Sequence, residues 1–159
     1  MKFSVVAVGH RMPEWIDRGF KEYAKRLPRE MALKLIELKP ESRHDKLGTS
    51  EVVRILEKEA QRIDAAVPKA AMTVVLDETG IVVTTRQLAQ RMAQWRDGGR
   101  DIAFVIGGAD GTAARLKSRA DWLWSLSPLT LPHGLVRVVL AEQLYRAISI
   151  LNNHPYHRV

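Results

Sequence analysis

The sequence predicts an α/β domain of three layers, a mostly parallel sheet with helices on both faces. Two observations predict it. Short apolar runs rich in β-branched residues alternate along the 159-residue chain with stretches whose apolar residues recur at helical spacing. Gly, Pro and Asp clusters mark the junctions, and no internal repeat or long linker interrupts the order, so residues 1–159 read as one domain.

The elements follow in order. Phe3 to Val8 is a strand. Pro13 opens a helix that carries Trp15, Gly19, Phe20, Tyr23 and Leu27 on one face. Ala32 to Leu38 is a second strand and Pro40 to Gly48 a polar loop. Ser50 caps a helix whose inward face is Val53, Leu56, Ala60 and Ile63. Met72 to Leu76 is a strand and Asp77-Glu-Thr-Gly80 a turn. Thr84 and Gln87 have capping-box spacing ahead of Leu88, Met92 and Trp95, and Asp97-Gly-Gly ends that helix. Ile102 to Ile106 is a strand, and the turn Gly107-Gly-Ala-Asp-Gly111 leads into a helix from about Thr112. A short strand near Leu123 to Leu126 precedes a last helix from about Gly134 to Leu151.

Composition narrows the chemistry. The chain has no cysteine, which excludes thiol nucleophiles, disulfides and Cys-based zinc sites and fits a reducing, cytoplasmic compartment. Apolar stretches are strand-sized, so no membrane partner is expected. A net charge of +7 favours a polyanionic partner, and the Lys and Arg residues are spread among acids along residues 2–119, as on a folded basic surface. From Trp122 onward only Arg137, Glu142, Arg146 and Arg158 are charged. A segment that sparse in charge is buried, paired or both, yet it closes on polar residues suited to line a site.

Ligands of open parallel sheets collect outside the carboxyl ends of the strands. Three loops take such positions: Leu76 to Gly80, Ile106 to Gly111 and Leu126 to Pro132. The glycine turn has neither P-loop nor GxGxxG spacing. It is read either as a plain strand-to-helix turn or as a place where the backbone approaches a flat ligand. Leu126 to Pro132 is either a buried proline-rich connection or a loop that holds a heterocycle between Leu129 and Leu131. His133, behind Pro132, is a helix cap or a catalytic group. Glu142 and Arg146 have the favourable i,i+4 order of a structural ion pair, which leaves Arg137 to contact a partner subunit or a phosphate. His154 and His157 have HxxH spacing, but Pro155 denies them a helical face and no third ligand is near, so no metal is expected. The His, Tyr, His and Arg donors of the tail suit a base edge or a phosphate.

These blocks carry a resemblance that runs end to end. The opening strand to Gly9, the Trp15 to Tyr23 helix, Leu76-Asp77, Ile106 to Gly108, Ser125 to Ser127, Leu129 to His133, Leu140 to Ala147 and His154 to Arg158 are similar to the large-subunit ribosomal RNA pseudouridine N3-methyltransferases, small members of the SPOUT class. Departures are Gly134 after the histidine, Ile148 where tryptophan is common, and an extra Val159. The resemblance implies a trefoil knot in the cofactor-binding part, about residues 72–159, and an obligate homodimer. It also implies S-adenosyl-L-methionine as methyl donor and N3 of a pseudouridine in 23S rRNA of the ribosome as acceptor. Carried over by position, Leu76, Gly107, Gly108 and the loop Leu126, Ser127, Pro128, Leu129, Thr130 and Leu131 would hold the cofactor. Tyr156, His157 and Arg158, with His133 as second choice for the proton, would be catalytic. Arg137, His154 and Arg158 would meet RNA, while Leu135, Val138, Val139, Leu140 and Leu144 would help to bury the dimer interface. A noncatalytic ribosome-binding or assembly factor, and a SPOUT enzyme acting on another atom such as a ribose 2'-OH, stand as alternatives.

Overall fold

The computed structural model describes residues 1–158, so Val159, which the single-domain expectation includes, lies outside the described residues. Five strands, β1 (Phe3–Val8), β2 (Leu33–Leu38), β3 (Met72–Val82), β4 (Ile102–Ile106) and β5 (Trp122–Ser125), pair in parallel in the order β2-β1-β4-β3-β5. The five helices are α1 (Glu14–Ala24), α2 (Thr49–Ala66), α3 (Thr85–Gly98), α4 (Ala114–Arg119) and α5 (His133–Leu151).

The period-2 alternation of strand side chains divides the core between the two faces of the sheet. Phe3, Val5, Ala7, Val74, Leu76, Phe104 and Trp124 face the layer of α1, α3 and α5. Val6, Val8, Val75 and Val105 face α2 and α4. On the first face the indoles of Trp122 and Trp124 stack 4.8 Å apart, and Trp95 of α3 meets Trp122 edge-on at 5.9 Å. These aromatics fix β5 at the end of the sheet and, with it, the loop that follows.

Capping chemistry sets the helix ends. Thr84 and Gln87 form the expected capping box, and α3 stops at Gly99 with φ +70°. At the far end of α5, Asn153 takes φ +53°, its N–H donates to Ile150 O, and His154 N–H donates to Ser149 O at 2.8 Å. That is a Schellman arrangement with asparagine in the left-handed position, and it turns the tail off the helix axis.

Several sequence expectations are corrected. Trp15 is 56% exposed, because the buried stripe of α1 runs through Ile16 and Phe20. Ser50 lies inside α2, where Gly48 is the N-cap and no side chain caps. Val53 is 62% exposed, because the inward face of α2 is Ile55, Glu59, Ala60 and Ile63; an acid in that stripe disguises it in the sequence. Asp77 to Gly80 is not a terminal turn. β3 continues through it to Val82, pairing Leu76 and then Ile81 with the same Trp124 of β5 and pushing the intervening residues out as a bulge. A side chain on Gly80 would lie 2.6 Å from the Trp124 carbonyl carbon, so glycine is required by a close crossing of two backbones. Leu140 and Leu144 are fully buried in the chain's own core and leave nothing to an interface, whereas Leu135, Val138 and Val139 are half-buried. Among the described residues no helix is long and apolar enough to cross a membrane.

Candidate active site

All five strands are parallel, so their carboxyl ends lie on one edge, and there the loops after β3, β4 and β5 converge. Between them is a cleft of about 460 Å³, within the size range of small-molecule sites. Leu76, Gly107, Gly108, Leu126, Ser127, Leu129, Thr130 and Leu131 line it, so of the nominated cofactor residues all but Pro128 do. His133 also lines it, at the start of α5.

The walls are built locally. Ser125 Oγ donates to Ser127 O at 2.8 Å and Ser127 Oγ accepts from Leu129 N at 3.0 Å, which holds the β5–α5 loop in shape by its own hydroxyls. Thr130 Oγ1 donates to Glu78 Oε2 at 2.9 Å, bridging that loop to the β3 bulge across the cleft. A side chain on Gly107 would run into the Gly111 carbonyl and Thr112 Oγ1, and one on Gly108 would press on Val8 at 3.2 Å. These glycines therefore serve the closure of the turn and its seat on β1.

Asp77, Glu78, Asp110 and Lys117 line the cleft as well. Lys117 is 3.8 Å from Asp77, and Asp110 is bound by Arg43 at 2.7 Å. The acids lie inside segments the sequence had marked as loops. Lys117 comes from α4 and carried no signal.

Of the other nominated residues His133 lines the cleft, while Arg137 and the tail residues do not. Arg137 is 0% exposed, donates to Glu37 Oε2 at 2.7 Å and Gly9 O at 3.0 Å, and has an unpartnered Nε. It ties α5 to the ends of β1 and β2, and the expectation that it meets RNA is corrected by its burial. His133, beside Gly9, has a buried Nδ1 without a partner. Its pKa is pushed down from 6.5, first by burial and then by the cations Arg137 and Arg43.

Tyr156, His157 and Arg158 are at the opposite end of α5. The helix has 19 residues, so roughly 28 Å of it separates them from His133. Tyr156 lies in a 3-10 turn, Pro155–His157, capped by His154, whose Nδ1 accepts from Tyr156 N at 3.2 Å. Its hydroxyl donates to Glu142 Oε1 at 3.1 Å, and Arg146 bonds the same carboxylate at 2.7 Å while its guanidinium lies 4.9 Å from the Tyr156 ring. Tyr145 packs 4.5 Å from that ring, and Arg26 sits over Tyr23 and Tyr145. Burial, then the bond to Glu142, raises the Tyr156 pKa to about 12. In this position its phenol is a donor at neutral pH and not a base. His157 Nδ1 is buried without a partner, and His154 and Arg158 are exposed.

Comparison with known proteins agrees with this architecture. The fold resembles a probable methylase family protein from Haemophilus influenzae Rd KW20, with TM-score 0.56, 12% identity and coverage of 99% of this chain and 70% of that one. It also resembles TrmJ from Z. mobilis ZM4, with TM-score 0.51, 14% identity and coverage of 91% and 69%. In sequence the chain is 59% identical over 158 residues, 99% of each chain, to proteins named Ribosomal RNA large subunit methyltransferase H from Burkholderia mallei (strain SAVP1) and Burkholderia pseudomallei (strain K96243). The family described as "Predicted SPOUT methyltransferase" matches residues 1–157. With a match of that length, relatives of that identity and a cleft formed by the loops after β3, β4 and β5, the chain belongs to the SPOUT methyltransferase family.

Proposed function

We propose that the protein methylates N3 of a pseudouridine in 23S rRNA of the large ribosomal subunit, as a metal-independent homodimer using S-adenosyl-L-methionine. The 59% identity to proteins named as large-subunit rRNA methyltransferases carries the choice of substrate. The cleft supports the choice of donor. It is apolar at Leu76, Leu126, Leu129 and Leu131, it offers backbone from the glycine turn, and it has the carboxylate Glu78 for a cationic ligand. When bound, the cofactor supplies an electrophilic methyl group on a sulfonium.

The protein's part is to bind, orient and manage one proton. N3 is protonated at neutral pH, so a base or cationic donors must act on it. In the tail His157 is the group to take the proton, Arg158 the cation to hold the resulting anion, and Tyr156 a hydrogen-bond donor. These groups and the cleft of their own chain are a helix length apart, which supports a site shared between two copies. The half-buried Leu135, Val138 and Val139 lie toward the cleft end of α5 and Glu142 and Arg146 toward the tail end. An antiparallel pairing of α5 with its copy would set each tail beside the other chain's cleft. The reading keeps the chain as one domain, with the cofactor-binding, knotted part from about residue 72, in the cytoplasm.

Mixed dimers test this. A chain lacking residues after Asn153 and a Gly107→Val chain are each expected to be inactive on ribosomes. Co-expressed, they should recover activity, because a heterodimer pairs one intact cleft with the other copy's intact tail. Absence of recovery in verified heterodimers would place tail and cleft in the same chain's site and sink the shared-site reading. Mass spectrometry of the 23S rRNA product decides the acceptor, and a 2'-O-methyl product would replace the proposed one.

A further inference from the structure

Beyond the nominated residues, the β2–α2 loop is linked to the cleft-lining Asp110 through a charge network anchored on a buried acid. Glu59, on the sheet-facing side of α2, is 2% exposed. Arg43, from the loop between β2 and α2, meets it as a fork, NH1 to Oε2 and NH2 to Oε1, both at 3.1 Å. The Glu41 N–H donates to Glu59 Oε2 at 2.9 Å and the Glu41 carbonyl accepts from Arg43 NH1 at 3.0 Å, so the loop backbone is tied into the same pair. The remaining edge of the guanidinium, Nε, donates to Asp110 Oδ2 at 2.7 Å. Asp110 belongs to the glycine turn and lines the cleft.

A carboxylate as buried as Glu59 is costly unless paired and hydrogen-bonded, and here a planar cation with donors on two edges meets that need. Because both edges are used, the guanidinium sets the distance between α2 and the turn. Lysine has the charge but not the two-edged plane. The turn itself is crowded, with Gly107 against Gly111 and Gly108 against Val8, so a shift of Asp110 passes to the backbone that faces the ligand.

We propose that Arg43 is a positioning residue of the cofactor site, clamping Asp110 of the glycine turn to Glu59 of α2 and drawing the β2–α2 loop over the rim of the cleft. The inference rests on the reading of the cleft as the S-adenosylmethionine site. It assigns Arg43 no contact with the ligand.

The experiment uses the full chain with Arg43→Lys, Asp110→Asn and the double variant. Calorimetric titration with S-adenosylmethionine should show each single change weakening Kd by about tenfold, the scale of a small displacement in a preset site. The double variant should be no weaker than either single one, since both remove one clamp. Amide exchange of residues 107–112 in the ligand-free protein should rise by about tenfold in both single variants, with α5 unchanged. A purely structural role would lower Tm while leaving Kd and exchange in the turn as in the wild type, and would overturn the proposal. Additive losses would overturn it too. Asp110→Asn leaves the pairing of Arg43 with the buried Glu59 intact, so it decides the matter if Arg43→Lys fails to fold. If the wild-type protein binds no S-adenosylmethionine, the reading of the cleft fails. Unchanged exchange then rejects the clamp separately.

Discussion

At the His133 end of α5 the side chains answer to the cleft, whereas at the Leu151 end they answer to one another. The first end is a histidine and a buried arginine, each with an unpartnered ring or guanidinium nitrogen. The second is a cluster in which Glu142, Arg146 and Tyr156 share hydrogen bonds, with the buried His157 Nδ1 beside it left unpartnered. The hydrogen bonds among Glu142, Arg146 and Tyr156 hold the tail in one place. On the proposed function the two ends would carry separate halves of the chemistry, with the 19-residue helix between them keeping one chain from joining them.

The sharpest way to break that comparison is to remove one end. Truncation after Asn153 takes away Tyr156, His157 and Arg158 but no cleft residue. Methyl transfer to ribosomes is expected to fall about 1,000-fold, the combined scale of losing an acid-base group and an anion-stabilising donor. S-adenosylmethionine affinity should stay within about twofold by calorimetry, since that is ordinary scatter for a site left intact. If affinity falls with activity, the tail and the cleft act as one unit and the comparison is wrong.

The cleft end was legible in the sequence because it is made of loops that follow strands, and strands announce themselves by β-branched alternation. Period and turn residues were enough to bring Leu76, Gly107 and Leu126 to one edge. The place of the tail was not legible, since nothing in Asn152 to Arg158 states which end of α5 faces the cleft. Direction came only with the parallel sheet. Glu59 was hidden in its own stripe, because an acid adds no apolar signal and its partner Arg43 is 16 residues away in a loop. Gly80 was read as a turn residue because its constraint, the crossing with β5, is set by tertiary structure.

Two substitutions probe how the cleft end is held. Gly80→Ala forces a methyl group into the Trp124 backbone, which cannot move as a flexible side chain would, and should cost about 3 kcal/mol, the upper range for overpacking. Chemical denaturation measures it, and a change within error would mean that the bulge relaxes freely. Arg137→Met should cost about 2 kcal/mol, less than the full penalty for breaking a buried pair because Glu37 remains partly hydrated. Ribosome affinity measured at fixed salt should be unchanged in Arg137→Met. A weaker complex with an altered salt slope would return Arg137 to the RNA-binding set.

The smallest expected effect is a pH dependence at His133. Its folded pKa lies below the ordinary 6.5, mainly from burial and then from Arg137 and Arg43. The unfolded chain thus binds the proton more readily than the native one, so stability rises with pH between the folded and unfolded values. The contribution is present above 6.5 and lost as pH falls through the folded pKa. His133→Gln keeps a polar side chain at the cleft and removes the titration. The stability difference between wild type and variant should shift against the wild type as pH falls below 6.5, and be flat above it. Denaturation curves at closely spaced pH values check this, and parallel curves throughout would show that His133 titrates alike in both states. In that event burial, Arg137 and Arg43 leave no net mark on His133, and the contrast between the two ends of α5 loses its electrostatic part.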